Sequence, residues 1–154
     1  AIMSALAQRI SQEMKAALLG GDRFRGEVLR NLKAAILNEE VATGRREAGL
    51  DDVAIERVIA REVKKRRESA AVYRANDRPE LAEPEEQEAA VLQQFLPEQL
   101  SSAALQEVID QVIAEMGEVS GPQLGRVIGA VKAKVGSAAD GALVAQLVKD
   151  TIAK

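Results

Sequence analysis

The stretch Gly121-Pro122-Gln123-Leu124-Gly125-Arg126-Val127-Ile128-Gly129-Ala130-Val131-Lys132-Ala133-Lys134-Val135 decides the fold class. Leu124, Val127, Ile128, Val131 and Val135 recur at steps of three and four, the spacing of one face of an α-helix. Beyond a short connection, Asp140-Gly141 opens a second such stripe: Leu143, Val144, Leu147, Val148 and Ile152. Upstream, Leu105, Val108, Ile109, Val112, Ile113 and Met116 make a third. Three one-sided helices can bury their stripes against each other. No apolar–polar alternation of period two occurs, so the sequence reads as all-α.

Working towards the N-terminus, Leu96-Pro97-Glu98-Gln99-Leu100-Ser101 marks a boundary. The proline ends the preceding helix and the serine can cap the next. This divides the chain into an N-terminal helical bundle, 4–96, and a small three-helix C-terminal domain, 97–154. Four helices are expected before the boundary. The first runs over about 4–19, with Leu6, Ile10, Met14 and Leu18 on its buried side. Gly20-Gly21-Asp22 stops it and caps a second, over about 23–43, carrying Val28, Leu29, Leu32, Ala35 and Ile36. A third starts at Asp51 or Asp52 and reaches about Asn76. The fourth follows Pro79, with a potential break at Pro84.

Composition sets the outer bounds. Of 154 residues 47% are apolar and only 2% aromatic, so the core must be aliphatic. Cysteine is absent, and no signal-peptide pattern or membrane-length apolar run is evident, which predicts a cytoplasmic chain with no membrane partner. Ala1-Ile2, ahead of Met3, reads as foreign to the natural start.

The net charge of −3 argues against a general nucleic-acid binder, but its distribution is uneven. Residues 57–67 carry +5, residues 79–100 carry −6, and residues 119–154 carry +3. On the third helix, Glu62 and Arg66 fall within the apolar face, as does Glu39 on the second. Charges placed there must be paired or reach its edge, which predicts a structural ion pair among Glu39, Glu62 and Arg66. Arg57, Arg61 and Lys64 share the opposite face. That face can meet RNA or the acidic segment 80–88 of the same chain.

Catalytic constellations are missing. Without His or Cys there is no imidazole base, thiolate nucleophile or common zinc ligand set. No phosphate-cradling glycine loop ending in Lys-Ser/Thr occurs. The serines lack a visible base, and the acidic run lacks the alternating spacing of a calcium loop. The expectation is therefore no catalytic residue, no metal and no cofactor.

The glycine-punctuated helix and the Asp-Gly opening of the last one resemble the helical tail of the GatB/YqeY family. That tail recurs at the C-terminus of the B subunit of glutamine-dependent tRNA amidotransferase. Arg61-Glu62-Val63-Lys64-Lys65-Arg66-Arg67-Glu68-Ser69, Tyr73 and Phe95–Ser101 are similar to free-standing YqeY-like proteins, and so are Val28-Leu29-Arg30 and Asn38-Glu39-Glu40. The resemblance implies a helical bundle followed by a three-helix domain, with the tail contacting tRNA or the tRNA-amidation machinery at a distance from its carbon–nitrogen ligation. It points to Arg126, Gly129, Lys132, Lys134 and Lys149 as nucleic-acid contacts, with Arg57, Arg61 and Lys64 secondary. The chain departs from the pattern at Gly136-Ser137-Ala138, Ala142 and Ala145, where similar proteins often carry basic or amide side chains. Fewer phosphate contacts mean weaker, more salt-sensitive binding. The rival expectation is a protein–protein module using the same tail.

Overall fold

The computed structural model describes residues 3–117 and 119–154; the reading of Ala1-Ile2 lies outside them. Among the described residues there are seven α-helices and no strand. They are α1 (Ala5–Leu19), α2 (Arg23–Ala42), α3 (Asp52–Ala75), α4 (Pro79–Gln93), α5 (Ser102–Met116), α6 (Leu124–Val135) and α7 (Gly141–Ala153). Short 3-10 turns precede and follow α6, at Gly121–Gln123 and Gly136–Ala138. Among the described residues no helix is long and apolar enough to cross a membrane. The chain divides into two compact units, Ala1–Leu96 and Pro97–Lys154.

Short polar side chains start most of the helices. Ser4, Asp22, Asp51, Ser101 and Asp140 accept hydrogen bonds from the backbone N–H of Ala7, Arg25, Ala54, Ala104 and Leu143. Each satisfies a donor that the helix leaves free, worth about 1 kcal/mol.

The core of the first unit gathers Leu6 and Ile10 from α1, Leu29 and Leu32 from α2, and Ile55, Val58, Ile59 and Val63 from α3. Leu92 of α4 and Phe95 just beyond it close the cluster. Leu18 was expected among them but is exposed, and Ala17 is buried instead. Steps of four advance about 40° each around a helix, so Leu18 has drifted about 80° from Ile10 while Ala17 lies within about 20° of it. Pro84 does not break α4, which runs unbroken from Pro79 to Gln93. Ala82 and Ala89 on either side of it are buried, so the helix keeps its packed side through the proline although Pro84 donates no hydrogen bond.

In the second unit, Leu105, Ile109 and Val112 of α5, Val127 and Val131 of α6, and Val144 and Val148 of α7 form one buried cluster. Of the remaining stripe residues, Val108, Ile113, Met116, Leu124, Ile128, Val135, Leu147 and Ile152 pack partly buried around it, whereas Leu143, expected on the buried side of the last helix, is exposed.

The ion pairs differ from the expected set in one member. Arg66 pairs with Glu62 at 3.3 Å and with Glu88 of α4 at 3.0 Å. Glu39 pairs instead with Arg61, at 2.6 Å. The reason is level. Arg66 borders a small recess together with Val28, Asn31 and Leu32, about two turns before Glu39 on α2. The residue of α3 level with Glu39 is Arg61. The acidic segment also supplies Glu86 to Arg74 and Glu80 to Arg78, so among the described residues it serves Arg66, Arg74 and Arg78 rather than Arg57, Arg61 or Lys64.

A second cluster ties α1, α2 and the end of α4. Glu13 accepts from Arg9 at 2.7 Å and from Arg25 at 2.6 Å. Both guanidinium groups lie over the Phe95 ring, at 4.5 and 5.8 Å from its centroid. Burial pushes the Glu13 carboxyl up, but hydrogen bonds and charge from the two arginines outweigh it and hold it below its ordinary value.

Candidate nucleic-acid interface

The α6 surface is set by its glycines. At Gly121, Gly125 and Gly129 an added Cβ would meet no atom within 4 Å, so backbone lies open along that side. Within α6, Gly125, Gly129 and Ala133 follow at steps of four and stay within about 80° of arc, while Gly121 sits in the 3-10 turn ahead of the helix. Arg126 and Lys132 flank them, both exposed. Neither takes part in an ion pair among the described residues. Gly129 is the one glycine of this side to which the family resemblance pointed. Gly125 and Gly121 were not singled out, although their spacing by fours with Gly129 was the available signal. Ala130 is half-buried against the core.

The turn into α7 brings Lys132 across its start. Were Gly141 to carry a Cβ, it would lie 3.3 Å from Lys132 Cε and 3.4 Å from Nζ. An ammonium beside the first turn of a helix adds to the positive end of the helix dipole. Asp140 answers part of that charge by capping the helix through the Leu143 N–H, at 3.3 Å. Further along α7, Ala142 and Lys149 are exposed and Ala145 is half-buried.

Lys134 does not share this face. Two residues beyond Lys132 it projects about 200° further around the helix. It reaches Glu115 of α5 at 3.4 Å, an exposed and weak pair. The expected set thus reduces to Arg126, Gly129 and Lys132 together, with Lys149 two turns along α7. Of the secondary set, Arg61 is committed to Glu39, while Arg57 and Lys64 remain exposed on one side of α3 without an ion pair among the described residues.

A family model described as Yqey-like protein matches residues 7–152. The chain belongs to the YqeY-like family. The YqeY-like match runs through both compact units, so the α6–α7 surface and the ion pairs of α3 both fall inside it. One curated relative is "Altered inheritance of mitochondria protein 41, mitochondrial" from Vanderwaltozyma polyspora, 27% identical over 103 residues. The matched stretch covers 67% of this chain and 54% of the relative, so the chain spans about half of that protein's length.

Proposed function

We propose that this YqeY-like chain contacts structured RNA, tRNA foremost, through α6 and the start of α7, as an accessory to glutamine-dependent tRNA amidation. The observation that carries the reading is the open backbone at Gly125 and Gly129, bordered by Arg126 and Lys132, which take part in no ion pair among the described residues. A phosphate backbone can approach such a surface closely, and the two cations are available to it. The resemblance of this tail to that of the amidotransferase B subunit supports the choice of tRNA. No aromatic residue lies in α5, α6 or α7, so recognition would act on phosphate and shape rather than on stacked bases.

The reading assigns the chain no catalytic residue and no cofactor, and places it in the cytoplasm. It also treats the two compact units as separate domains, an N-terminal helical bundle and a C-terminal three-helix module. The likeness to a protein named as mitochondrial concerns that relative and does not alter the chemistry proposed for this surface.

The test is fluorescence anisotropy with labelled tRNA at low salt. The expected dissociation constant is roughly 10⁻⁴ to 10⁻⁶ M at physiological salt, the range of contacts made through phosphate, and tighter as salt is lowered. Arg126→Glu with Lys132→Glu should abolish binding. Lys134→Glu, on the other side of α6, should leave most of it. Failure of the wild-type chain to bind at low salt would sink the RNA reading and leave a protein partner for this surface.

A further inference from the structure

The first unit carries a groove that the RNA reading does not use. It lies between α1 and α2 and is closed at one end by the 43–51 connection, with a volume of about 500 Å³. That volume falls within the range of specific binding sites. Its floor is apolar, with Ile10, Ile36, Leu50 and Ile55 all buried in the core. Its rim carries Lys33, Glu40, Arg46 and Glu47. None of these four side chains makes an ion pair among the described residues, whereas the other flanks of the unit pair Arg9, Arg25, Arg61, Arg66 and Arg74. Large apolar side chains are also exposed here. Met3 and Leu37 line the groove at 47% and 40% exposure, and Val41, one turn beyond Leu37, is at 64%.

We propose that this groove seats an amphipathic helix of a partner protein. An apolar floor with a rim of both signs matches a helix that has one apolar stripe and charged flanks. A small charged ligand would be met by one sign. Exposed apolar surface that continues past the cavity to Val41 also calls for an elongated occupant. The rim sets its polarity. Ser11 and Lys33 line the groove together with Met3, Ser4 and Glu40, and the connection between α1 and α2 is short. The two helices therefore run antiparallel, with Lys33 at the Ser11 end and Glu40 at the Ser4 end. The partner helix would set acidic side chains and its C-terminus by Lys33, and basic side chains and its N-terminus by Glu40 and Glu47, whose two carboxylates outnumber the Arg46 cation at that end. Gly44 and Gly49 hold positive φ angles of 70° and 77°, which bends the connection between them so that Arg46 and Glu47 border the groove.

The experiment uses the full chain against a displayed library of random 16-residue peptides. The expected selection is peptides with apolar residues at i, i+3 or i+4, and i+7, acidic towards the C-terminus. Leu37→Glu should weaken the selected peptides at least tenfold with the circular dichroism spectrum unchanged. Lys33→Glu, at an exposed position, should weaken acid-ended peptides and strengthen basic-ended ones, and it carries the test should Leu37→Glu fail to fold. Three outcomes overturn the proposal. They are no enrichment of helical peptides, selected peptides indifferent to both variants, and a chain that dimerises through this face and becomes monomeric on Leu37→Glu.

Discussion

Replacing Arg66 by alanine removes the cation that Glu62 and Glu88 share. The side chains of Glu62, Arg66 and Glu88 keep 14%, 24% and 30% of their exposure, so the cluster is neither on the surface nor dry. Fully exposed pairs are worth up to about 1 kcal/mol. Removing one partner of a fully buried pair costs about 3–5 kcal/mol. Glu62 also keeps Lys65, at 3.1 Å, which prevents the loss from reaching the upper range. The expected cost is therefore about 2 kcal/mol, between those limits. With a urea dependence of about 2 kcal/mol per molar, the midpoint should fall by about 1 M. Far-ultraviolet circular dichroism through a urea titration measures it. Lys65→Ala is the control, since its 65% exposed side chain should cost less than about 0.5 kcal/mol. Equal midpoints for wild type and Arg66→Ala would refute the reasoning, because they would show that the two carboxylates need no cation between α3 and α4.

Further outcomes follow from other sites. Because Glu13 has a lowered pKa in the fold, its contribution is complete above the ordinary carboxylate range and is lost as pH falls through the folded value. Glu13→Gln should therefore flatten the fall of thermal midpoint below about pH 4, and parallel curves for the two chains would contradict this. Gly129→Ala should raise stability by about 0.5–1 kcal/mol, since the new methyl meets nothing and helical glycine is unfavourable. Gly129→Gln should instead weaken tRNA binding in the anisotropy assay without lowering the urea midpoint. Limited proteolysis near Pro97–Ser101 should release a helical fragment of the last three helices, and an unfolded fragment by circular dichroism would argue that this unit depends on the first.

The aliphatic stripes of α5, α6 and α7 were legible because a period of 3.6 is a local property and each stripe holds five or six residues. The stripe on α1 failed at Leu18, where spacing by fours was followed one step too far. Pro84 was misleading because the burial of Ala82 and Ala89 on either side of it is a tertiary property, which no local rule registers. Glu62 and Arg66 were found from one helix alone, at i and i+4. Glu39 was given the wrong partner because its level against α3 depends on the length and path of the 43–51 connection. The groove over Ile10 and Ile55 was invisible for the same reason. Its lining comes from α1, α2, that connection and the start of α3, and no single periodicity joins them.

The alanine contacts between α3 and α4 have a consequence for motion. Beyond Val63, the buried side chains of this pair are Ala70, Ala82 and Ala89, together with Leu92 near the other end of α4. Alanines let two helices lie close but remove little apolar area from water, and the exposed Arg74–Glu86 pair adds little. The stretch from Ala70 through Ala82 should therefore open as a unit at a lower free energy than the whole fold. Its amides should exchange with deuterium well before those of Ile55 to Val63, which wait for global unfolding. The outer half of this helical pair is then a hinged arm on a rigid base, and its tip samples open forms while the base stays shut.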